Sequence, residues 1–230
     1  MWSQRSQALT VAERDWLAWH HPYDDPSSSL SRRLEVVQRH LAAALDRCED
    51  GPISMLSMCA GQGRDILAVL ERHHRAADVT ARLVELDERN VVIAAGRAAE
   101  LDSPHIEVVS GDAGVTDAYA GMVPATVILA CGVFGNISDR DIETTVAALP
   151  TLCSAGATVI WTRHRRSPDL TPSIRSWFSD AGFEEDAFEA LTGTSVGAGV
   201  HRLVGQPAAF EPGRRLVEFV GYDTLLGDGG

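Results

Sequence analysis

The chain has little that would tie it to a metal, a disulfide framework, a nucleic acid or a membrane. Its four cysteines, Cys48, Cys59, Cys131 and Cys153, stand far apart and form no Cys-x-x-Cys. That argues against a zinc ribbon or a stapled secreted fold. Cys59, Cys131 and Cys153 lie in apolar contexts and read as small core residues. Positive charge is short: 20 basic against 32 acidic side chains, a net charge of −12. Broad binding to nucleic acid or to an anionic membrane is therefore not expected, because phosphates call for Lys and Arg. The one visible basic cluster, Arg163-His164-Arg165-Arg166, is brief. No apolar run approaches the length of a membrane span. The early charges Arg5, Glu13 and Arg14, with no apolar stretch among them, show no signal peptide. The expectation is a cytoplasmic, soluble protein. His73 and His74 read as solvated residues at a helix end, and His40 as a structural helix residue. No histidine pair has ligand spacing with a supporting acid, so no metal is expected. Internal repeats and low-complexity segments are also missing.

What is present is a regular alternation of strand and helix patterns. With 230 residues the chain fits one domain with terminal extensions. Thr10-Val11-Ala12-Glu13 has capping-box spacing and predicts a short helix to about Trp19. Leu30, Leu34, Val37, Leu41 and Leu45 recur at three and four, which predicts an amphipathic helix from about Ser28 to the Asp50-Gly51-Pro52 break. Strands are then expected at 53–59, 80–86, 106–110, 124–130 and 158–161. Helices are expected at 64–73, at 88–101 with a stop at Pro104, at 138–152 with Ser138 and Asp141 at capping spacing, and at 171–181, with a weak one at 115–119. Two closing strands, 183–192 and 200–205, are joined by a Gly-rich loop. Repeated strand–helix units imply a mainly parallel sheet covered on both faces. The expected layout is a helical extension or lid at 1–51, an α/β core at 52–206, and a C-terminal segment at 207–230 with a disordered tail.

The stretch from Ile53 to Leu67 carries the most information. An apolar strand runs into Gly61-Gln62-Gly63 and then into a helix. Glycines at such a turn let a ligand approach the main chain, and the helix N-terminus offers free N–H donors. Acids follow at the ends of the next two strands, in Val84-Glu85-Leu86-Asp87 and in Ser110-Gly111-Asp112-Ala113. Glycine turn and two strand-end acids, in that order, resemble the class I S-adenosylmethionine-dependent methyltransferases over roughly residues 52–205. The resemblance implies a doubly wound, seven-stranded, mainly parallel Rossmann-like sheet with an antiparallel closing pair. It implies S-adenosyl-L-methionine as cofactor and in-line methyl transfer to a small-molecule acceptor at nitrogen or oxygen. The Asn/Asp-Pro-Pro-Tyr signature of many base- and amide-methylating enzymes is absent, which disfavours methylation of DNA amines.

On that resemblance the cofactor would be held by Cys59, Ala60, Gly61, Gly63, Asp65, Asp87, Asp112, Ala113 and Cys131. Asp87 and Glu85 compete for the ribose hydroxyls, and the strand-end pattern favours Asp87; it would also cap the next helix. Asp112 would face the adenine amino group. The chain departs from the family where Ser57 stands at the usual acid position and Cys59 at the first glycine; Asp65 either partly substitutes for that acid or caps the helix. Trp19 and Tyr23 in the extension, with Phe134 and Asn136 after the fourth strand, are the candidate acceptor contacts. If a general base is needed, the candidates are His164, His20 and His21, because histidine titrates nearest neutral pH. Two rival readings remain: an NAD(P)-dependent Rossmann oxidoreductase, and a noncatalytic S-adenosylmethionine-binding protein. Acceptor identity and oligomeric state are not legible.

Overall fold

The computed structural model describes residues 15–101 and 105–220. The capping box at Thr10, the helix stop at Pro104 and the tail from Gly227 lie outside the described residues. A 3₁₀ turn, Ala18–Asp24, leads into α1, Ser29–Arg47. The Ser28 side chain accepts from the Ser31 N–H and caps α1. Its stripe of Val37, Leu41, Ala44 and Leu45 is buried against the sheet.

The alternation then runs β1 (Ile53–Met58), α2 (Ile66–Leu70), β2 (Val79–Glu85), α3 (Glu88–Glu100), β3 (Ile106–Ser110) and β4 (Ala125–Ala130). It continues with α4 (Asp139–Ala148), β5 (Cys153–His164), α5 (Thr171–Asp180), β6 (Phe183–Ala190) and β7 (Val196–Leu203). The seven strands form one sheet in the order β3-β2-β1-β4-β5-β7-β6. β1 to β5 are parallel, whereas β7 runs antiparallel between β5 and β6.

The expected elements from Ser28 onward are found, with differences in extent: α4 stops at Ala148 before a 3₁₀ turn at Leu149–Thr151, β7 spans Val196–Leu203 instead of 200–205, and β5 and α2 also differ. β5 runs eight residues beyond the Thr158–Trp161 core, because β7 pairs with it as far as His164 and its early part crosses a register shift beside β4. α2 is shorter than 64–73: Asp65 caps it at its start, and after Leu70 the chain passes into turns although Glu71 keeps helical dihedrals. The capping pair Ser138 and Asp141 forms as expected, the Asp141 N–H donating to Ser138 Oγ at 3.1 Å.

Alternate strand positions feed two apolar layers. Met55, Leu83, Val127, Leu129, Ile160 and Val200 face α1 and α2. Leu56, Met58, Val84, Ile128, Val159 and Trp161 face α4 and α5. Trp161 is fully buried between Phe134 and Phe178, each 5.9 Å away between ring centroids. Gly199 makes room for it: a Cβ there would sit 2.3 Å from the indole. The indole N–H donates to His201 Nδ1 at 3.1 Å. His201 Nε2 lies 3.6 Å from Glu185, which is paired with Arg175 at 2.8 Å. This polar chain lies in the β5–β7 half of the sheet and lines no part of the cavity described next. Among the described residues, no helix is long and apolar enough to cross a membrane.

Candidate functional site

A cavity of about 1210 Å³ opens at the carboxyl ends of β1 to β4. In an open parallel sheet this is where ligands bind, at the point where strand order reverses between β1 and β4. The volume exceeds the roughly 300–1,000 Å³ of common ligand pockets, which leaves room for two molecules at once.

The turn after β1 forms its floor. Cys59, Gly61 and Gly63 all have positive φ, at 52°, 56° and 65°. The two glycines serve different ends. A Cβ on Gly63 would fall 2.8 Å from Leu67 and 2.9 Å from Leu83, so Gly63 lets α2 pack close to β2. A Cβ on Gly61 would fall 2.3 Å from His20 Nε2, so Gly61 admits a side chain from the N-terminal turn.

β2 supplies the acids. Glu85, its last residue, is buried, and its carboxylate accepts from the Gly61 N–H at 2.7 Å and the Asp87 N–H at 2.9 Å. Burial raises the Glu85 pKa while those two amides oppose the rise. Asp87 caps α3 by accepting from the Arg89 N–H at 3.0 Å and takes the Arg89 guanidinium at 2.6 Å, which holds its pKa down. Both acids line the cavity. Between them Leu86 is 67% exposed, although the rest of the strand end is buried. Asn90, fully buried on the same wall, accepts from Gln62 at 3.3 Å, and its own amide nitrogen has no acceptor among the described residues.

Across from β2, Asp112 accepts from the Gly114 N–H at 2.8 Å and from Arg215 at 3.1 Å. Ala113 sits beside it on the cavity wall. Arg215 belongs to an extended C-terminal strap that pairs Leu216 with Gly114 at 2.8 Å and Val220 with Asn136 at 3.1 Å. The strap delivers Phe219 to the cavity mouth, where it meets Trp16 at 6.4 Å.

A second group of wall residues, Asp65, Cys131, Tyr23 and Arg33, lies close together, with Ala60 and Asn136 also on the wall. Cys59 and Cys131 are therefore cavity walls as well as core neighbours, and burial pushes both thiols up. Asp65 caps α2 by accepting from the Ile66 N–H at 2.8 Å, and burial raises its pKa. Asn136 donates to Gly132 O at 2.7 Å, which fixes the loop after β4. Arg33 donates to the Tyr23 hydroxyl and lies over the rings of Trp19 and Tyr23, 5.5 and 5.7 Å from their centroids.

The N-terminal turn covers the glycine floor. Trp19 lies edge-on to Trp16 at 6.0 Å and to Tyr23 at 5.9 Å. His20 is buried, and its Nδ1 lies 2.8 Å from the Trp16 carbonyl. A carbonyl only accepts, so Nδ1 carries the proton and Nε2 keeps its lone pair beside Gly61. Burial lowers the His20 pKa, which keeps the ring neutral.

Four expected site residues fall elsewhere. Gly63 is buried off the cavity wall, because its place against Leu67 and Leu83 serves the packing of α2 on β2 and not a ligand. Phe134 is wholly buried with Val133 in the layer under α4, where its carbonyl accepts from Arg163; it is core, not an acceptor contact. His21 is exposed and off the cavity wall, because the 3₁₀ turn points its neighbour His20 inward instead. His164 ends β5 outside the wall, with its pKa lowered to about 4 by burial and then by Arg163 and Arg166. Arg163, from the brief basic cluster, is buried. Arg33, Asn90, Gln62 and Phe219 were not anticipated. Arg33 and Asn90 occupy ordinary helical positions, and Phe219 arrives only through the long-range course of the strap.

His73 is also less exposed than expected, its side chain 8% accessible against Asp46 at 3.2 Å, with His74 stacked on it at 4.7 Å. The Arg75 N–H donates to His73 Nδ1 at 3.2 Å, so Nε2 carries the proton toward Asp46. These three residues are the group among those described whose ligand atoms could converge on a metal. His73 Nε2 and the Asp46 carboxylate form a polar contact between α1 and the segment after α2.

No family sequence model matches the chain, and no curated protein matches it by sequence. Solved structures do match its fold. Magnesium protoporphyrin IX methyltransferase of Synechocystis PCC 6803, with bound SAM, superimposes with a TM-score of 0.63 at 13% identity, over 84% of this chain and 99% of that one. The 1,6-didemethyltoxoflavin-N1-methyltransferase of Burkholderia thailandensis, with its substrate and S-adenosylhomocysteine, gives 0.62 at 16% identity, over 83% and 86%. An O-methyltransferase family protein of the same organism gives 0.60 at 15% identity; the alignment covers 79% of this chain and 57% of that chain. The fold is that of the class I S-adenosylmethionine-dependent methyltransferases.

Proposed function

We propose that the protein is an S-adenosyl-L-methionine-dependent methyltransferase acting on a nitrogen or oxygen of a small molecule. The observation that carries this reading is one cavity, on the carboxyl edge of this sheet, walled by the glycine turn, Glu85-Leu86-Asp87 and Asp112-Ala113 together. The residues present fit the cofactor. Leu86 offers an exposed apolar platform for an adenine ring between two acids. The Asn90 amide nitrogen lacks an acceptor that a ribose oxygen would supply. Glu85 as the strand-end acid and Asp87 beside it are the ribose residues, and Asp112 the adenine residue.

The bound cofactor would supply an electrophilic methyl on a sulfonium, so the protein's task is orientation and exclusion of water. Trp16, Trp19 and Tyr23 roof the site and keep water out. Asn136 and Cys131 border the acceptor's approach. For an acceptor that must lose a proton, His20 is the base: it is the histidine on the wall, neutral, with Nε2 unprotonated. Replacing His20 with Gln is expected to lower turnover of such an acceptor by about 10²–10⁴-fold with cofactor affinity nearly unchanged. The antiparallel β7 departs from the 3-2-1-4-5-6 order of dinucleotide-binding sheets, which counts against the oxidoreductase reading. Titration calorimetry with S-adenosylhomocysteine and with NAD⁺ tests the assignment. Binding of the first alone is expected; binding of NAD⁺ alone overturns it, and cofactor binding without turnover on any acceptor favours a noncatalytic protein.

A further inference from the structure

The family's usual acid near the cofactor's amino-acid end is replaced here by Ser57, which is 2% exposed inside β1. The cavity nevertheless keeps one cation and one anion at that end. Arg33 from α1 and Asp65 from the start of α2 both line it. Neither has a salt-bridge partner among the described residues. Other arginines on the same wall do: Arg64 meets Asp24 at 2.8 Å, and Arg89 meets Asp87 at 2.6 Å and Asp15 at 3.0 Å. We infer that Arg33 and Asp65 together form a clamp for a zwitterion, Arg33 taking the α-carboxylate and Asp65 the α-ammonium of the cofactor's methionine part.

The inference rests on the cofactor reading and gives its amino-acid end a specific grip. Three observations support it. Arg33 is held in place without being neutralised: the Tyr23 hydroxyl accepts one of its N–H groups, and two aromatic faces brace its plane. A guanidinium has five donors, so most of its fork remains for a planar carboxylate. Asp65 is half-buried on the cavity wall, and Arg33 is near enough to favour its charged form without forming an ion pair. Charges set in a cavity wall without a counterion are costly, and a ligand carrying both opposite charges satisfies both at once. The placement also explains how Ser57 is tolerated: the acid has moved from the strand to the helix cap eight residues later, and the cation has come from the extension.

The rival account gives both residues structural work only, Asp65 as a helix cap and Arg33 as a lid residue. Asp65→Asn separates the two, because asparagine caps a helix about as well as aspartate but carries no charge. The experiment is titration calorimetry with three ligands: S-adenosylmethionine, its decarboxylated form, which keeps the ammonium, and 5′-methylthioadenosine, which has neither charge. Thermal unfolding checks that each variant is folded.

The parent is expected to bind them with affinity falling in that order. Arg33→Met should weaken S-adenosylmethionine by about ten- to hundredfold and leave the other two unchanged. Arg33→Lys should recover part of that loss. Asp65→Asn should weaken both ammonium-bearing ligands and spare 5′-methylthioadenosine. Equal weakening of all three ligands by either variant, or no weakening at all, overturns the clamp. A parent that binds S-adenosylmethionine no better than 5′-methylthioadenosine overturns the clamp and leaves the cofactor reading standing. A parent that binds none of the three removes both.

Discussion

Two groups of charged residues on the cavity wall are built on opposite plans. In the group from β2 and β3, each acid is already engaged by the protein. Glu85 holds two backbone amides, Asp87 caps α3 and grips Arg89, and Asp112 holds Gly114 and Arg215. Away from those acids, Arg33 and Asp65 line the same cavity without a salt-bridge partner among the described residues. The first group is rigid before any ligand arrives, since its hydrogen bonds are shared with turns and helix starts. The second is left for a ligand to complete. Removing an acid from the first group should therefore cost fold and affinity together, and removing a charge from the second should cost affinity alone.

The largest test of that contrast is Glu85→Ala. It strips the acceptor from two buried amides, and each buried donor left unsatisfied costs about 1–3 kcal/mol. A clear fall in unfolding free energy is expected by denaturant titration, with loss of S-adenosylhomocysteine binding by more than about a hundredfold. Glu85→Gln keeps an acceptor and should recover much of the stability. If Glu85→Ala unfolds like the parent, the rigid half of the contrast is broken.

Acid pH gives a control from outside the cavity. His201 is 1% exposed, and burial lowers its pKa to about 4 from 6.5. A histidine with a depressed folded-state pKa contributes stability that is fully present above the unfolded value and is lost as pH falls. The loss should begin near pH 6.5 and level off below about 4, amounting to about 3 kcal/mol at 1.36 kcal/mol per unit. His20 and His164 act with the same sign. Stability measured across this window should fall with decreasing pH; replacing His201 by a neutral residue should flatten the slope whether or not cofactor is bound.

A smaller effect is expected at Asp87. Asp87→Ala removes a helix cap worth about 1 kcal/mol. It should also weaken cofactor binding by roughly tenfold, whereas Asp87→Asn should keep the cap and lose only part of the affinity. Affinity unchanged in both variants would assign the ribose contact to Glu85 alone. The smallest effect concerns Cys59, a non-glycine residue at φ 52°. Cys59→Gly relieves left-handed strain and is expected to stabilise the protein by up to about 1 kcal/mol, or a few degrees in Tm. A destabilised variant would mean that the thiol's packing outweighs the strain.

The fold was legible because its signals are local and periodic. Gly61-Gln62-Gly63, the strand-end acids and the Ser138–Asp141 cap each act within a few residues, and the structure forms all of them. Glu85 and Asp87 were harder to rank, since two acids one residue apart look alike until the strand is seen to end at Glu85 and the helix to start at Glu88. Phe134 misled because an aromatic residue in a loop carries no sign of burial. His20 and His21 could not be separated without the 3₁₀ turn that sends one ring inward. Arg33, Asn90 and Phe219 were invisible for a different reason: their roles depend on which distant segments they meet.

Trp16 and Phe219 touch across the cavity mouth, one from the N-terminal turn and one from the C-terminal strap. These segments are separated by nearly the whole chain, yet they close over the same opening. A ligand beneath is covered from both sides, so loss of this contact is expected to shorten its residence time. Since Trp16 is itself an indole at that seam, each parting changes the surroundings of a fluorophore. Opening can therefore be timed by stopped-flow emission, with Phe219→Ala shortening residence.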